Sequence, residues 1–159
     1  MAHALALGRR GLGQVWPNPA VGCVIVRDGR VLGRGWTQAG GRPHAEAMAL
    51  AGAAAAGATA YVTLEPCAHV SPRGPACADL LVAAGVARVV TALTDPDPRT
   101  AGQGHARLRA AGITVATGVL EAEARRDHAG FLLRVGQGRP FVTLKLAATL
   151  DGRIAAASG

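Results

Sequence analysis

The chain has 159 residues, long enough to bury one sizeable core. Half of them are hydrophobic and 17% are charged, which excludes a disordered or acidic solvating chain. The formal charge of +7 fits an anionic partner, whether nucleic acid or a nucleotide phosphate, or simply an arginine-rich composition; the arginines are scattered, and at 3% aromatics the chain lacks a stacking platform for single strands, which argues against nucleic acid.

In chain order, residues 2–11 read as a helix, and Pro17-Asn18-Pro19 then forces an extended or turning backbone before the apolar run Ala20–Val26. Asp28-Gly29 separates the β-rich stretches Val21–Val26 and Arg30–Trp36, the short-range signature of an antiparallel hairpin. Pro43 opens a predicted helix that runs through Ala56, and Gly57 ends it before a strand at Thr59–Leu64. Residues 47–64 carry no charge, but the Ala-rich run, broken by Gly52 and Gly57, reads as buried helix, turn and strand, not a membrane span.

A helix is predicted at Cys77–Ala84, stopped by Gly85, with a strand at Arg88–Leu93. A third unit follows, with a helix at Thr100–Ala111, a cap at Gly112 and a strand at Ile113–Ala116, and a last helix runs from Leu120 to about Val135. Gly136-Gln137-Gly138 reads as a linker, and Pro140–Ala147 as a new strand. Strands alternating with helices imply an α/β sandwich with a largely parallel part. Its core must use small aliphatic side chains, because much of the apolar content is alanine.

Two clusters carry chemistry. In Pro43-His44-Ala45-Glu46 a histidine and a carboxylate share a first helical turn, although alone they also fit an incidental histidine beside a glutamate favoured by the helix dipole. In Thr63-Leu64-Glu65-Pro66-Cys67 a thiol follows a strand, and Cys77 opens a helix ten positions later; alone, these also fit buried structural cysteines. Cys23, inside an apolar strand, reads as core. Together, one His and two Cys at loop-to-helix junctions supply three ligands and leave a fourth tetrahedral position for water, the pattern of a catalytic zinc. Glu46 beside it is suited to moving the proton of that water. The H-x-E and P-C pairing also follows the general pattern of the zinc deaminases, with nine residues here between the cysteines.

With these residues in view, the sequence resembles the deaminase domain of the bifunctional riboflavin-biosynthesis deaminase-reductase family. The likeness rests on PNPAVGCVIV (17–26), PHAE (43–46), ATAYVTLEPCAH (58–69), AGVARVV (84–90), DPDP (95–98), AGI (111–113) and GVLEAEA (118–124). The stretch RPFVTLKLAATLDGRIA (139–155), with Lys145 and Asp151, resembles the opening of the reductase domain. The resemblance implies a three-layer α/β/α sandwich around a mixed five-stranded sheet, with a deaminase domain at 1–138 and the start of a truncated reductase domain at 139–159.

It further implies hydrolytic deamination of 2,5-diamino-6-ribosylamino-4(3H)-pyrimidinone 5′-phosphate, with one Zn2+ per chain on His44, Cys67 and Cys77, a zinc-activated water as nucleophile and Glu46 as proton shuttle. NADPH would matter only with a complete reductase domain. Asn18, His69, Arg73, Asp95 and Asp97 are the substrate contacts carried over, while Thr37 and Asp97 replace the His and Asn frequent in the family. The partner expected is a small phosphorylated aminopyrimidine, with no membrane association, in a homo-oligomer (dimer or tetramer). With an odd cysteine count and no leader pattern, a cytoplasmic location is expected. The alternatives are a related cytidine, deoxycytidylate, guanine or tRNA-adenosine deaminase, and a non-catalytic zinc-binding module.

Overall fold

The computed structural model describes residues 1–69 and 71–155, so residues 156–159 of the expected second domain lie outside the described residues. Five strands form one sheet in the order β2-β1-β3-β4-β5. β1 (Gly22–Arg27) runs antiparallel to both β2 (Arg30–Trp36) and β3 (Thr59–Val62), whereas β3, β4 (Arg88–Thr91) and β5 (Thr114–Ala116) are parallel. The expected hairpin is present: Asp28 and Gly29 both take positive φ, 52° and 71°, the backbone that a two-residue turn matching strand twist requires.

Helices cover both faces of the sheet. α1 (Ala2–Gly8), which continues as a 3-10 turn at Arg9–Gly11, lies on β1 and β2. Its Ala4 and Leu7 bury Val24, and Arg9 pairs with Asp127 at 2.9 Å to tie it to α5 (Glu121–Asp127). α2 (Ala45–Leu50), α3 (Cys77–Ala83) and α4 (Gln103–Ala110) sit side by side, α2 on β1 and β2 and α4 against β5. The larger core includes Ile25, Val62, Leu81, Val89 and Leu108.

Small residues set the spacing, as the composition suggested. A Cβ at Gly35 would stand 2.2 Å from the Ala45 carbonyl oxygen, and one at Gly33 would stand 1.8 Å from that of Ala49. β2 therefore touches the backbone of α2 directly, and this fixes the height of α2, whose first turn carries His44 and Glu46.

Several boundaries differ from the sequence reading. The helix expected from Pro43 to Ala56 spans only Ala45–Leu50, because Ala51 leaves the helical region (ψ 110°) and Gly52 turns left-handed. The last predicted helix is two, α5 and α6 (Ala129–Gln137), joined at His128, which no longer has helical ψ. Residues 136 and 137 belong to α6 rather than to a linker, and Gly138 caps it at φ 64°. Pro140–Ala147 is not a strand: no sheet edge pairs with it among the described residues, and Phe141, Val142, Leu144 and Leu146 are exposed. Alternating hydrophobicity makes a strand only where a partner accepts its hydrogen bonds.

Candidate active site and metal centre

β3 delivers the segment Thr63–Cys67 to the end of the sheet, and the N-termini of α2 and α3 converge on it. His44 is the N-cap of α2 and Cys77 the first residue of α3. His44 Nδ1 lies 3.3 Å from Cys77 Sγ and 3.6 Å from Cys67 Sγ, and the backbone N–H of Cys77 donates to Cys67 Sγ at 3.3 Å. Tetrahedral zinc with ordinary Zn–S and Zn–N bonds needs its donor atoms about 3.5 Å apart. All three donor atoms here lie within 4.8 Å of one another, so the set fits zinc.

Protonation points the same way. Hydrogen bonds from the Cys77 thiol and from His44 outweigh burial and hold Cys67 as a thiolate, its pKa brought down to about 4. The Cys77 thiol is raised, first because its proton is held in the hydrogen bond to Cys67 and then because burial and the neighbouring charges of Glu46 and Cys67 oppose a second thiolate. A divalent cation resolves that conflict, since both thiols ligate as thiolates. Asn18 completes the surroundings: its amide lies 3.1 Å from His44 Nε2 and donates to the Gly41 carbonyl at 3.0 Å. The same Asn18 Nδ2 thus faces both groups and holds the imidazole edge opposite the two thiols.

Glu46 is buried, and its carboxyl is raised above the ordinary range, first by desolvation and then by the charge of Cys67. It lines a cleft of about 310 Å³ together with His44 and Cys67. Asn18, His69, Arg73, Asp95 and Asp97 line the same cleft, so the structure brings every expected substrate contact to one place. Cys77 lies behind the cleft wall, almost fully buried.

Each of these residues is also held by the protein. His69 Nδ1 is 3.4 Å from Thr100 Oγ1, and the Arg73 guanidinium donates to the Gly40 carbonyl at 3.2 Å. Asp95 accepts the backbone N–H of Asp97 at 2.9 Å, and burial raises its pKa to about 6. Asp97 accepts the backbone N–H and the side chain of Arg99, which lowers its pKa. Thr37 is buried and its Oγ1 accepts the N–H of Val21 at 3.1 Å, so its hydroxyl stitches the end of β2 to the start of β1.

Two contributions escape a reading of the sequence. Glu65 has a fully buried side chain that accepts three backbone N–H groups: those of Asp95 (3.1 Å), Gly102 (2.9 Å) and His105 (3.0 Å). It caps α4 from outside its own segment and locks the Asp95–Asp97 loop to the strand end that carries Cys67. Its place two residues before a ligand was the only local signal. The second is α6, from which Phe131, Arg134 and Val135 line the cleft.

Residues 1–93 match the family model described as the cytidine and deoxycytidylate deaminase zinc-binding region. The chain belongs to this family. The riboflavin biosynthesis protein RibD of Escherichia coli K12 is 55% identical over the whole chain, and that of Aquifex aeolicus is 48% identical. The chain spans 44% and 45% of those two relatives. Among solved structures, RibD of Acinetobacter baumannii (form 1) superposes with a TM-score of 0.88 at 50% identity, covering 99% of this chain and 44% of that one. A diaminohydroxyphosphoribosylaminopyrimidine deaminase/5-amino-6-(5-phosphoribosylamino)uracil reductase of Thermotoga maritima gives 0.91 at 44% identity, covering 100% and 46%. The cytidine-deaminase-like sandwich implied by the sequence is thus the fold observed.

Proposed function

We propose that this chain catalyses the zinc-dependent hydrolytic deamination of 2,5-diamino-6-ribosylamino-4(3H)-pyrimidinone 5′-phosphate in riboflavin biosynthesis. The observation that carries the reading is the convergence of the His44, Cys67 and Cys77 donor atoms within 4.8 Å of one another, beside a cleft that His44, Cys67 and the buried carboxyl of Glu46 line. The identity to RibD proteins narrows the substrate class.

His44, Cys67 and Cys77 hold the metal. When bound, zinc supplies Lewis acidity that makes water a nucleophile near neutral pH. Glu46 moves the protons: with its pKa raised by burial, it takes a proton from the attacking water and returns one to the exocyclic nitrogen, which leaves as ammonia. Its burial keeps bulk water from competing for that proton.

Asn18, His69, Arg73, Asp95 and Asp97 contact the substrate in this reading, with Arg73 near its ribose-phosphate end. Thr37 lines the same cleft, its hydroxyl oxygen accepting the Val21 N–H. Residues 1–138 form the deaminase domain and 139–159 open a second, reductase-like domain, consistent with the irregular, apolar and exposed stretch that follows Gly138. NADPH belongs only to a complete second domain. We further propose a homo-oligomer working in the cytoplasm; no helix among the described residues is long and apolar enough to cross a membrane.

Ammonia release across a panel of aminopyrimidine, cytosine, guanine and adenine nucleotides tests the substrate. Turnover of the diaminopyrimidine phosphate alone is expected. Turnover of a cytosine or adenine nucleotide in its place would overturn the assignment.

A further inference from the structure

Phe131, Arg134 and Val135 stand at i, i+3 and i+4, so α6 offers the cleft one continuous face. This helix lies outside residues 1–93, the part that matches the zinc-binding deaminase family model. Its wall is therefore separate from the metal-binding frame common to the family, and suited to recognising the part of the substrate that does not react.

Arg134 is anchored there from two sides. One Nη2 hydrogen is given to the Pro17 carbonyl at 2.7 Å, and the guanidinium carbon stands 5.6 Å from the centre of the Phe131 ring. Pro17 itself lines the cleft and precedes Asn18, so the anchor ties α6 to the loop beside His44. Among the described residues no carboxylate pairs with Arg134, and its Nε and Nη1 donors have no protein acceptor. Arg99 differs, because its guanidinium lies on both oxygens of Asp97, at 3.0 and 2.5 Å. A guanidinium held in place with free fork donors loses little freedom on taking a tetrahedral oxyanion.

We propose that Arg134 forms an anion subsite of this cleft that binds the phosphate of a phosphorylated ribosyl substrate through its free Nε and Nη1 donors. The identity of the molecule carrying the phosphate rests on the deaminase reading, whereas the subsite itself does not. Phe131 and Val135 supply apolar surface beside it for the sugar.

The test is titration of the zinc-loaded chain with ribose 5-phosphate, which has no amine to lose, followed by calorimetry or by chemical shifts. Wild type should bind it, Arg134→Ala should weaken binding by about tenfold or more, and Arg134→Lys should recover part of the loss. Arg134→Gln separates the two roles of the side chain, because it keeps a donor for the Pro17 carbonyl and removes the charge. It should bind as poorly as Arg134→Ala. Wild-type affinity in Arg134→Gln or Arg134→Ala, or no binding by wild type, would overturn the subsite. Wild type that binds ribose 5-phosphate but deaminates no phosphorylated aminopyrimidine would instead overturn the substrate reading and leave the subsite standing.

Discussion

Replacing Glu65 by Gln tests whether this buried carboxylate joins the metal-bearing strand end to the substrate wall. In the native protein Oε2 accepts the N–H groups of Asp95 and Gly102, and Oε1 accepts that of His105. Glutamine has one oxygen. In its better orientation that oxygen keeps the Asp95 and Gly102 bonds, and the NH2 group then faces the His105 N–H across 3.0 Å, donor against donor. One buried hydrogen bond to a charged acceptor is lost and a buried donor is left without a partner, which together cost about 1.5–3 kcal/mol. For a chain of this size that is a fall in Tm of roughly 4.5–9 °C. Urea and thermal unfolding of the zinc-loaded protein measure it. Amide hydrogen exchange should also rise at the start of α4, where the capping is weakened. A Glu65→Gln protein within 0.5 kcal/mol of wild type, the usual range of ~0.5 kcal/mol for surface substitutions, would refute this account of Glu65.

Three further outcomes follow from the geometry. His128 is buried, with Nε2 3.2 Å from Thr63 Oγ1 and Nδ1 without a partner among the described residues, and burial lowers its pKa to about 4. The unfolded imidazole titrates near 6.5, so below that pH the unfolded state binds the extra proton: stability is full above it and falls as pH drops towards about 4, by roughly 3 kcal/mol. Unfolding curves from pH 7 to 4 should be markedly flatter for His128→Gln, and equal slopes would contradict the assignment. Gly35→Ala should drive α2 away from β2, because the new Cβ meets the Ala45 carbonyl at 2.2 Å. The overpacking costs about 1–3 kcal/mol, and zinc affinity should fall with it as His44 shifts; unchanged unfolding and zinc titrations would count against the contact. Cys67→Ser and Cys77→Ser should each purify with little zinc and unfold earlier than wild type, as metal analysis of the same samples will read.

Local chemistry made much of the fold legible. Asp28-Gly29 announced its hairpin because that turn needs positive φ, and the glycines at 85 and 112 marked where helices give way to strands, whereas Gly57 precedes β3 but stands seven residues past the end of α2. His44, Cys67 and Cys77 were legible as a joint set because their residue types and helix-start positions limit what they can do. What the sequence hid was long-range. Glu65 finds its partners 30 to 40 residues away, and Arg134 meets Pro17 across 117, so neither neighbourhood announces the contact. Pro140–Ala147 failed in the opposite sense: its pattern suits a strand, but pairing needs an edge that the described residues do not offer.

The central claim is that His44, Cys67 and Cys77 hold zinc while Glu46 moves the protons. Zinc content and ammonia release from the diaminopyrimidine phosphate, measured on one sample of Glu46→Gln beside wild type, test it most directly. Wild type should carry one zinc per chain and release ammonia, and Glu46→Gln should keep its zinc while turnover falls by about 10²-fold or more. A Glu46→Gln protein that loses its zinc, or that retains zinc and still releases ammonia at the wild-type rate, would contradict the account.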